Sequence, residues 1–241
     1  MGIVDVDGIR SLVYGFFFRN SNPISTQHGY YNILNTLPDG ASILDIGCGD
    51  GIYFTNPVAV EVIKSKKLVI TCIDPDAGAV KICGERIKEA GLESQVTHAA
   101  KFLEEVTDKY DFVLFMESFP VINREQFLGM LKYALTLCTK KALLYHNLVE
   151  EKTKLVTWIK PIIGMLTLVD FGVVTSVEEQ REILKQYKST TMAPLLSCSY
   201  RRAFLGTQLD DFLAPVTRWL PSTVLARECT QYLVCIDAEI V

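Results

Sequence analysis

The sequence predicts an α/β fold in which a doubly wound, mostly parallel sheet is covered by helices on both faces. Short apolar segments alternate with segments of helical periodicity between residues 42 and 146, and each apolar segment is nearly continuous. Strands that are buried on both faces show this pattern. A glycine-rich turn directly follows the first apolar segment, where a doubly wound sheet passes from its first strand to its first helix.

Five strands are predicted from these apolar segments, because each is short and rich in Val, Ile, Leu or aromatic residues. They are residues 42–46, 68–74, 94–99, 111–116 and 141–146. Two helices are predicted between them from apolar residues at helical spacing. The first contains Val80, Cys83, Ile87 and Ala90, with Asp76 as its N-cap, and the second contains Phe127, Leu131, Ala134 and Cys138, with Asn123 as its N-cap.

The alternation of strands and helices ends after Asn147. A capping box formed by Ser176 and Glu179 predicts one further helix. The other segments are assigned by composition: 190–200 and 231–240 as strands, which we expect to be antiparallel, and 148–175 and 201–228 as cap or connecting helices. Because no linker rich in Pro, Gly or Ser divides the chain of 241 residues, a single domain is predicted.

Composition and charge argue against several classes of protein. The net charge is −4 without a run of five like charges, so no nucleic-acid partner is expected. Seven cysteines without a C-x-x-C pair argue against a disulfide framework and a zinc site, and they favour a cytoplasmic location. The amino terminus lacks the positive charge of a signal peptide, and the apolar stretch 161–169 is too short to span a membrane.

The glycine-rich turn is the strongest functional signal. Glycine occupies every second position of Gly47–Gly51, and it is kept where backbone bends sharply or approaches a ligand closely. Asp74, at the end of the second predicted strand, can accept hydrogen bonds from both hydroxyls of a ribose. The dinucleotide pattern G-x-G-x-x-G would need a third glycine where Ile52 stands. The pattern D-x-G-x-G-x-G, which starts at Asp45, therefore favours S-adenosylmethionine over a nicotinamide dinucleotide.

Asp45–Gly51 resembles motif I of the class I S-adenosylmethionine-dependent methyltransferases, and the similarity continues in order over residues 40–147. The resemblance implies a seven-stranded, Rossmann-like sheet with an antiparallel final hairpin and helical cap segments. The cofactor, S-adenosyl-L-methionine, would bind over the carboxyl ends of the strands. Within the single domain, residues 1–40 would form an amino-terminal lid, 41–147 the cofactor-binding core, and 148–241 cap helices and the final strands.

The resemblance also implies roles for individual residues. Backbone at Gly47, Cys48 and Gly49 would approach the methionine moiety of the cofactor. Asp45 would position the amino group of that moiety, and Asp74 would hold the ribose. Met116 and Glu117, after the fourth strand, would lie beneath the sulfonium.

Recognition of adenine departs from the family pattern. The family often has an acidic residue after the third strand, whereas this chain has Lys101 and Phe102. We expect adenine to be held by the backbone of these two residues, with Phe102 packed against the ring, or by Glu104.

Few catalytic groups are needed for methyl transfer, because proximity and exclusion of water carry most of the rate. A general base is required only if the nucleophile arrives protonated. Glu117 and His146 are the candidates, and the alternatives are a solvated loop glutamate and a structural histidine. Upstream of the first strand, His28, Tyr30 and Tyr31 lie where the family folds a lid, although packing is the favoured interpretation for the tyrosines. No cluster of His and Asp predicts a metal site.

The predicted function is methyl transfer to a small, apolar or aromatic molecule. The D/N/S-P-P-Y/F motif, which serves amino groups of nucleobases and some glutamines, is absent, and MESF (116–119) stands in its place. The apolar segments 155–174 and 12–18 are expected to roof an acceptor pocket, and the alternative for 155–174 is a core-facing helix. Two other functions stay open: a protein methyltransferase, and a catalytically inactive, methyltransferase-like partner subunit.

Overall fold

The computed structural model of the chain describes residues 24–116, 124–149, 177–187, 190–199 and 228–238. Seven strands lie in these ranges: β1 (Ser42–Ile46), β2 (Val69–Asp74), β3 (Val96–Ala100), β4 (Tyr110–Met116), β5 (Cys138–Val149), β6 (Thr190–Ser199) and β7 (Glu228–Asp237). The same ranges contain five α-helices: α1 (Ile24–Thr36), α2 (Pro57–Lys66), α3 (Ala77–Glu89), α4 (Arg124–Leu137) and α5 (Val177–Leu184). A short 3₁₀ helix covers Leu103–Glu105.

The described strands form one sheet with the order β3-β2-β1-β4-β5-β7-β6. The first five strands of the chain pair in parallel, and β7 lies antiparallel between β5 and β6. The predicted doubly wound sheet with a final antiparallel pair is therefore confirmed. The strand order reverses at β1, so the crevice between the carboxyl ends of β1 and β4 is where ligands bind in sheets of this kind.

Apolar residues cover both faces of the sheet. One core cluster joins α1, α2 and α3 to one face, and a second joins α4 and α5 to the other. Successive residues of β1 point to opposite faces, as in any strand. Ile43 belongs to the first cluster, while Leu44 and Ile46 belong to the second. Asp45 therefore carries a carboxylate on the face that α1, α2 and α3 cover.

Most predicted elements agree with the structure. β1 has the predicted bounds, and Asp76 caps α3 by accepting hydrogen bonds from the N–H groups of Gly78 and Ala79. The placement of Cys138 in the second helix was wrong, because α4 ends at Leu137 and Cys138 pairs with Tyr110 at the start of β5.

Several sequence predictions lie outside the described residues. They concern the N-caps Asn123 and Ser176, the candidate Glu117, the apolar segment 12–18, and all but the ends of the cap segments 148–175 and 201–228. At those ends the predicted bounds were wrong, because Leu148 and Val149 belong to β5 and Glu228 begins β7. The division of the domain into lid, core and cap stays a prediction. Among the helices that the structure describes, none is both long and apolar enough to cross a bilayer.

Gly51 should tolerate alanine far less well than Gly129. At Gly51, φ is +73°, and a Cβ atom would lie 2.8 Å from Cζ of Phe54 and 2.9 Å from Sγ of Cys83. At the exposed Gly129 in α4, a Cβ atom would meet nothing within 4 Å. We expect Gly51→Ala to lower the free energy of unfolding by about 1–3 kcal/mol. Gly129→Ala should raise it by about 0.5–1 kcal/mol. Urea unfolding of both variants measures the two changes, and equal effects would contradict this account of the turn.

Candidate functional site

The turn after β1 is held against β2 by backbone hydrogen bonds. The N–H groups of Gly47 and Cys48 both donate to the carbonyl oxygen of Ile73, at 2.9 and 3.2 Å. All three glycines of the turn have positive φ angles, +75° at Gly47, +55° at Gly49 and +73° at Gly51. L-residues with side chains rarely adopt this conformation, so the repeated glycines follow from the path of the backbone.

Space is distributed unequally around this turn. A Cβ atom on Gly51 would collide with the side chains of Phe54 and Cys83, whereas one on Gly49 would meet nothing within 4 Å. Gly51 thus serves packing between the turn and α3. At Gly49 the backbone borders open space, which permits close approach of a ligand.

Asp74 joins the end of β2 to the glycine turn. Its Oδ2 atom accepts a hydrogen bond of 2.9 Å from the N–H of Gly49, and its Oδ1 atom accepts one of 2.9 Å from the N–H of Asp76. Burial raises the pKa of this carboxyl, and the two backbone hydrogen bonds oppose that shift. A carboxylate has about four acceptor positions, so Asp74 can accept further hydrogen bonds from a ligand.

Asp45 is a buried carboxylate with two dissimilar oxygen atoms. Only 2% of the residue is exposed, and the hydroxyl of Tyr30 donates a hydrogen bond of 3.0 Å to Oδ2. The other oxygen, Oδ1, is buried and has no hydrogen-bond partner among the described residues. Burial raises the pKa of Asp45 to about 7, and the hydrogen bond from Tyr30 opposes the shift. An unpartnered carboxylate oxygen at this depth is unfavourable unless a ligand supplies a donor.

Three cysteines lie close together beneath the turn. Cys48, Cys72 and Cys83 are buried free thiols, and the side chain of each interacts with those of the other two. Burial raises the pKa of Cys72, so this thiol is neutral at physiological pH. These three side chains therefore belong to the core beneath the turn.

An ion pair that the sequence analysis missed ties the turn to α3. Asp50 is 9% exposed, and its Oδ2 atom lies 3.2 Å from a guanidinium nitrogen of Arg86. Its Oδ1 atom accepts a hydrogen bond from the N–H of Ile52. No local motif links positions 50 and 86, so this contact could only be found in the folded chain.

The expected adenine region lies at the end of β3. The N–H of Lys101 donates to the carbonyl oxygen of Asp74 at 3.2 Å, and the N–H of Phe102 donates to Oε1 of Glu105 at 2.8 Å. The backbone N–H groups of both residues are therefore engaged within the protein. The side chain of Phe102 is 64% exposed, which leaves its ring accessible for stacking. Glu104 is exposed in the 3₁₀ helix.

The remaining candidates lie at the carboxyl ends of β4 and β5. Met116 is 3% exposed and ends β4, where it pairs with Tyr145. His146 is the next residue of β5 and pairs with Tyr232 of β7. The structure thus places Met116 and the backbone of His146 at the same edge of the sheet. His28 lies in α1.

Part of the chain matches a known protein family. Residues 43–141 match the family described as methyltransferase domain. A comparison with curated protein sequences gives no match.

Solved methyltransferase structures share the fold. Magnesium protoporphyrin IX methyltransferase from Synechocystis PCC 6803, crystallised with bound SAH, is 14% identical with a TM-score of 0.56, over 98% of this chain and 89% of that one. Phosphoethanolamine N-methyltransferase 2 from Haemonchus contortus, in complex with S-adenosyl-L-methionine, is 14% identical with a TM-score of 0.64, over 97% of this chain and 57% of that one. Geranyl diphosphate C-methyltransferase from Streptomyces coelicolor A3(2) is 11% identical with a TM-score of 0.57, over 89% of this chain and 75% of that one.

The segment that matches the methyltransferase domain, residues 43–141, includes the glycine turn and Asp74. The predicted resemblance to class I S-adenosylmethionine-dependent methyltransferases is confirmed, together with the predicted enzyme class and cofactor. The residues of this chain fit that cofactor, because Asp45 offers a buried acceptor without a partner among the described residues and Gly49 borders open space. The roles of individual site residues stay predictions.

Asp45→Asn should stabilise the protein at alkaline pH. The pKa of Asp45 is about 7 in the folded chain, against 3.8 for an ordinary aspartate. The folded chain therefore binds the proton of this carboxyl more tightly than the unfolded chain does. The stability that results is fully present below pH 3.8 and is lost as the pH rises through 7. We expect the variant to exceed the wild type by up to about 4 kcal/mol at pH 8 and by much less at pH 5. Thermal unfolding at both values measures the difference, and a gap that does not change with pH would contradict burial of a charged Asp45.

Asp74→Ala should lose both stability and cofactor affinity, whereas Asp76→Ala should lose stability alone. Each carboxylate accepts hydrogen bonds from two backbone N–H groups, so both variants should have lower melting temperatures. Only Asp74 is assigned to the ribose, and its loss should weaken S-adenosylhomocysteine binding by roughly 1.5–3 kcal/mol. Calorimetric titration of the two variants makes the comparison, and equal affinities would place ribose recognition elsewhere.

Proposed function

We propose that this methyltransferase transfers the methyl group of S-adenosylmethionine to a small molecule, and that this acceptor is apolar or aromatic. The observation that carries the proposal is the grouping of three features at the carboxyl ends of β1 and β2. These features are the Oδ1 atom of Asp45, which has no partner among the described residues, the open space at Gly49, and the Asp74 carboxylate.

Each feature suits one part of the cofactor. Oδ1 of Asp45 accepts a hydrogen bond from the amino group, directly or through one water molecule, and the space at Gly49 takes the methionine moiety. Asp74 accepts hydrogen bonds from the ribose hydroxyls, and the exposed ring of Phe102 stacks on adenine. When bound, S-adenosylmethionine supplies an electrophilic methyl group on its sulfonium. The chain holds donor and acceptor together and excludes water from them.

Acceptor chemistry is assigned to the ends of β4 and β5. Met116 and Glu117 are assigned to the floor beneath the sulfonium. His146 is assigned as a general base for an acceptor that arrives protonated, with Glu117 as the other candidate. The register supports this grouping, because Met116 pairs with the residue that precedes His146.

Two observations support a small acceptor. Magnesium protoporphyrin IX, phosphoethanolamine and geranyl diphosphate, which the names of similar structures give, are all small molecules. The sequence 155–174 is rich in apolar residues, among them Trp158 and Met165, which suit an apolar pocket. The proposal includes a cytoplasmic location, which is supported by the free thiols of Cys48, Cys72, Cys83, Cys138 and Cys235.

Calorimetry tests the cofactor part of the proposal. S-adenosylmethionine and S-adenosylhomocysteine should bind with micromolar dissociation constants, whereas NAD and NADP should not bind comparably. Gly49→Val is the variant that should abolish binding. Its side chain fills the open space and strains a residue whose φ is +55°. Tight binding of a nicotinamide cofactor without binding of S-adenosylmethionine would refute the proposal.

Transfer of a labelled methyl group tests the acceptor part. The protein and labelled S-adenosylmethionine are incubated with aromatic and isoprenoid small molecules, with basic peptides, or with nucleic acid. Label in a small molecule supports the proposal, and Trp158→Ala and Met165→Ala should then weaken acceptor affinity while cofactor binding stays normal. Label in peptides would favour a protein methyltransferase. Cofactor binding without any transfer would favour an inactive partner subunit.

A further inference from the structure

Tyr30 connects helix α1 to the carboxylate that lies at the base of the glycine turn. Its side chain is fully buried, and its ring stacks on Tyr53 with centroids 6.2 Å apart and tilts against Phe54 at 6.4 Å. Tyr53 and Phe54 belong to the segment between the glycine turn and α2. Since the ring is packed by two aromatic side chains, the hydroxyl is held in place against Oδ2 of Asp45, at 3.0 Å.

This contact determines which oxygen of Asp45 is left for a ligand. Tyr30 occupies Oδ2, and Oδ1 is buried without a partner among the described residues. We propose that Tyr30 is a positioning residue for cofactor binding: its hydroxyl orients Asp45 and favours the charged carboxylate, so that Oδ1 can accept from the amino group of S-adenosylmethionine. The inference rests on the function proposed above, and it assigns Tyr30 a role that packing alone does not require.

The charge on Asp45 depends on several neighbouring groups. The titratable groups that face it come from α1, the glycine turn, β2 and α3: Tyr30, Cys48, Cys72, Asp74 and Cys83. On the β4 side, its register partner is the apolar Leu114. Burial is the largest cause of the raised pKa of Asp45, Cys83 and Asp74 raise it further, and the hydrogen bond from Tyr30 lowers it. Removal of the Tyr30 hydroxyl should therefore raise the pKa above its present value of about 7.

Tyr30→Phe should shift the pH dependence of cofactor binding. A protonated Asp45 cannot attract an ammonium group, so wild-type affinity should fall as the pH drops below about 7. In the variant this fall should begin at higher pH, because the carboxyl binds its proton more tightly. If the lost hydrogen bond is of ordinary strength, S-adenosylhomocysteine should bind about tenfold more weakly at pH 6. At pH 9, where Asp45 is mostly charged in both proteins, their affinities for S-adenosylhomocysteine should differ by less than about twofold.

Calorimetric titration with S-adenosylhomocysteine from pH 6 to pH 9 measures this shift without any need for an acceptor. Tyr31→Phe is the matched control, because it removes a hydroxyl from the adjacent residue of α1 and should leave the pH profile unchanged. The amino group of the ligand titrates in the same way with every variant, so it cancels from the comparison. Melting temperatures, recorded in parallel, separate a loss of folding from a loss of affinity.

A double variant separates regulation of the Asp45 charge from an effect of packing. In an Asp45→Asn background there is no charge to regulate, so adding Tyr30→Phe should change affinity by less than about twofold at every pH. An equal loss of affinity at all pH values, or the same loss in both backgrounds, would make Tyr30 a packing residue and overturn the inference. Failure of the wild type to bind S-adenosylhomocysteine at any pH would instead overturn the proposed function, and the inference with it.

Discussion

The burial of strand β1 is the constraint on which the rest of the structure depends. β1 pairs in parallel with β2 on one side and with β4 on the other, and Ile43 and Leu44 are fully buried on opposite faces. A strand enclosed in this way has no free edge and no solvated face. Its backbone groups therefore need hydrogen bonds from the neighbouring strands, and its apolar side chains need helices on both faces of the sheet. The chain leaves this environment only at the carboxyl end of β1, and the glycine turn begins there. The position of the site therefore follows from the position of this buried strand.

Asp45 is a charged residue on this buried strand. It lies on a strand whose other residues are apolar or pack within the sheet, yet its carboxylate is buried on the face that α1 covers. Burial of a charge is unfavourable without full hydrogen bonding, and one oxygen has no partner among the described residues. Features that destabilise a fold locally tend to be functional, because a stable sequence would otherwise replace them. An amino group supplied by a ligand would satisfy the carboxylate and convert an unfavourable burial into affinity.

The turn is held in shape by two further carboxylates. Asp74 accepts the N–H of Gly49 from the side of β2, and Asp50 pairs with Arg86 from the side of α3. Gly51 packs between Phe54 and Cys83, where no side chain would fit. A turn held from both sides loses little conformational entropy when a ligand binds, and this preorganisation favours affinity. The hydrogen bond from Tyr30 to Asp45 also ties α1 to the end of β1. Four elements, α1, β1, β2 and α3, are thus linked around one small turn.

The sequence by itself determined which segments form strands, where the glycine turn lies, that Asp74 ends β2, and which residue caps α3. These features depend on residues close together in the chain: an apolar run, a repeated glycine, or a side chain that accepts an N–H two or three positions ahead. The tertiary structure alone decided that Tyr30 donates to Asp45, that Asp50 pairs with Arg86, and that Cys138 begins a strand rather than ending a helix. Each of these depends on packing that brings distant residues together. Helical spacing continued through Cys138, but pairing with β4 outweighed it, since a local preference of a few tenths of a kcal/mol yields to tertiary contacts.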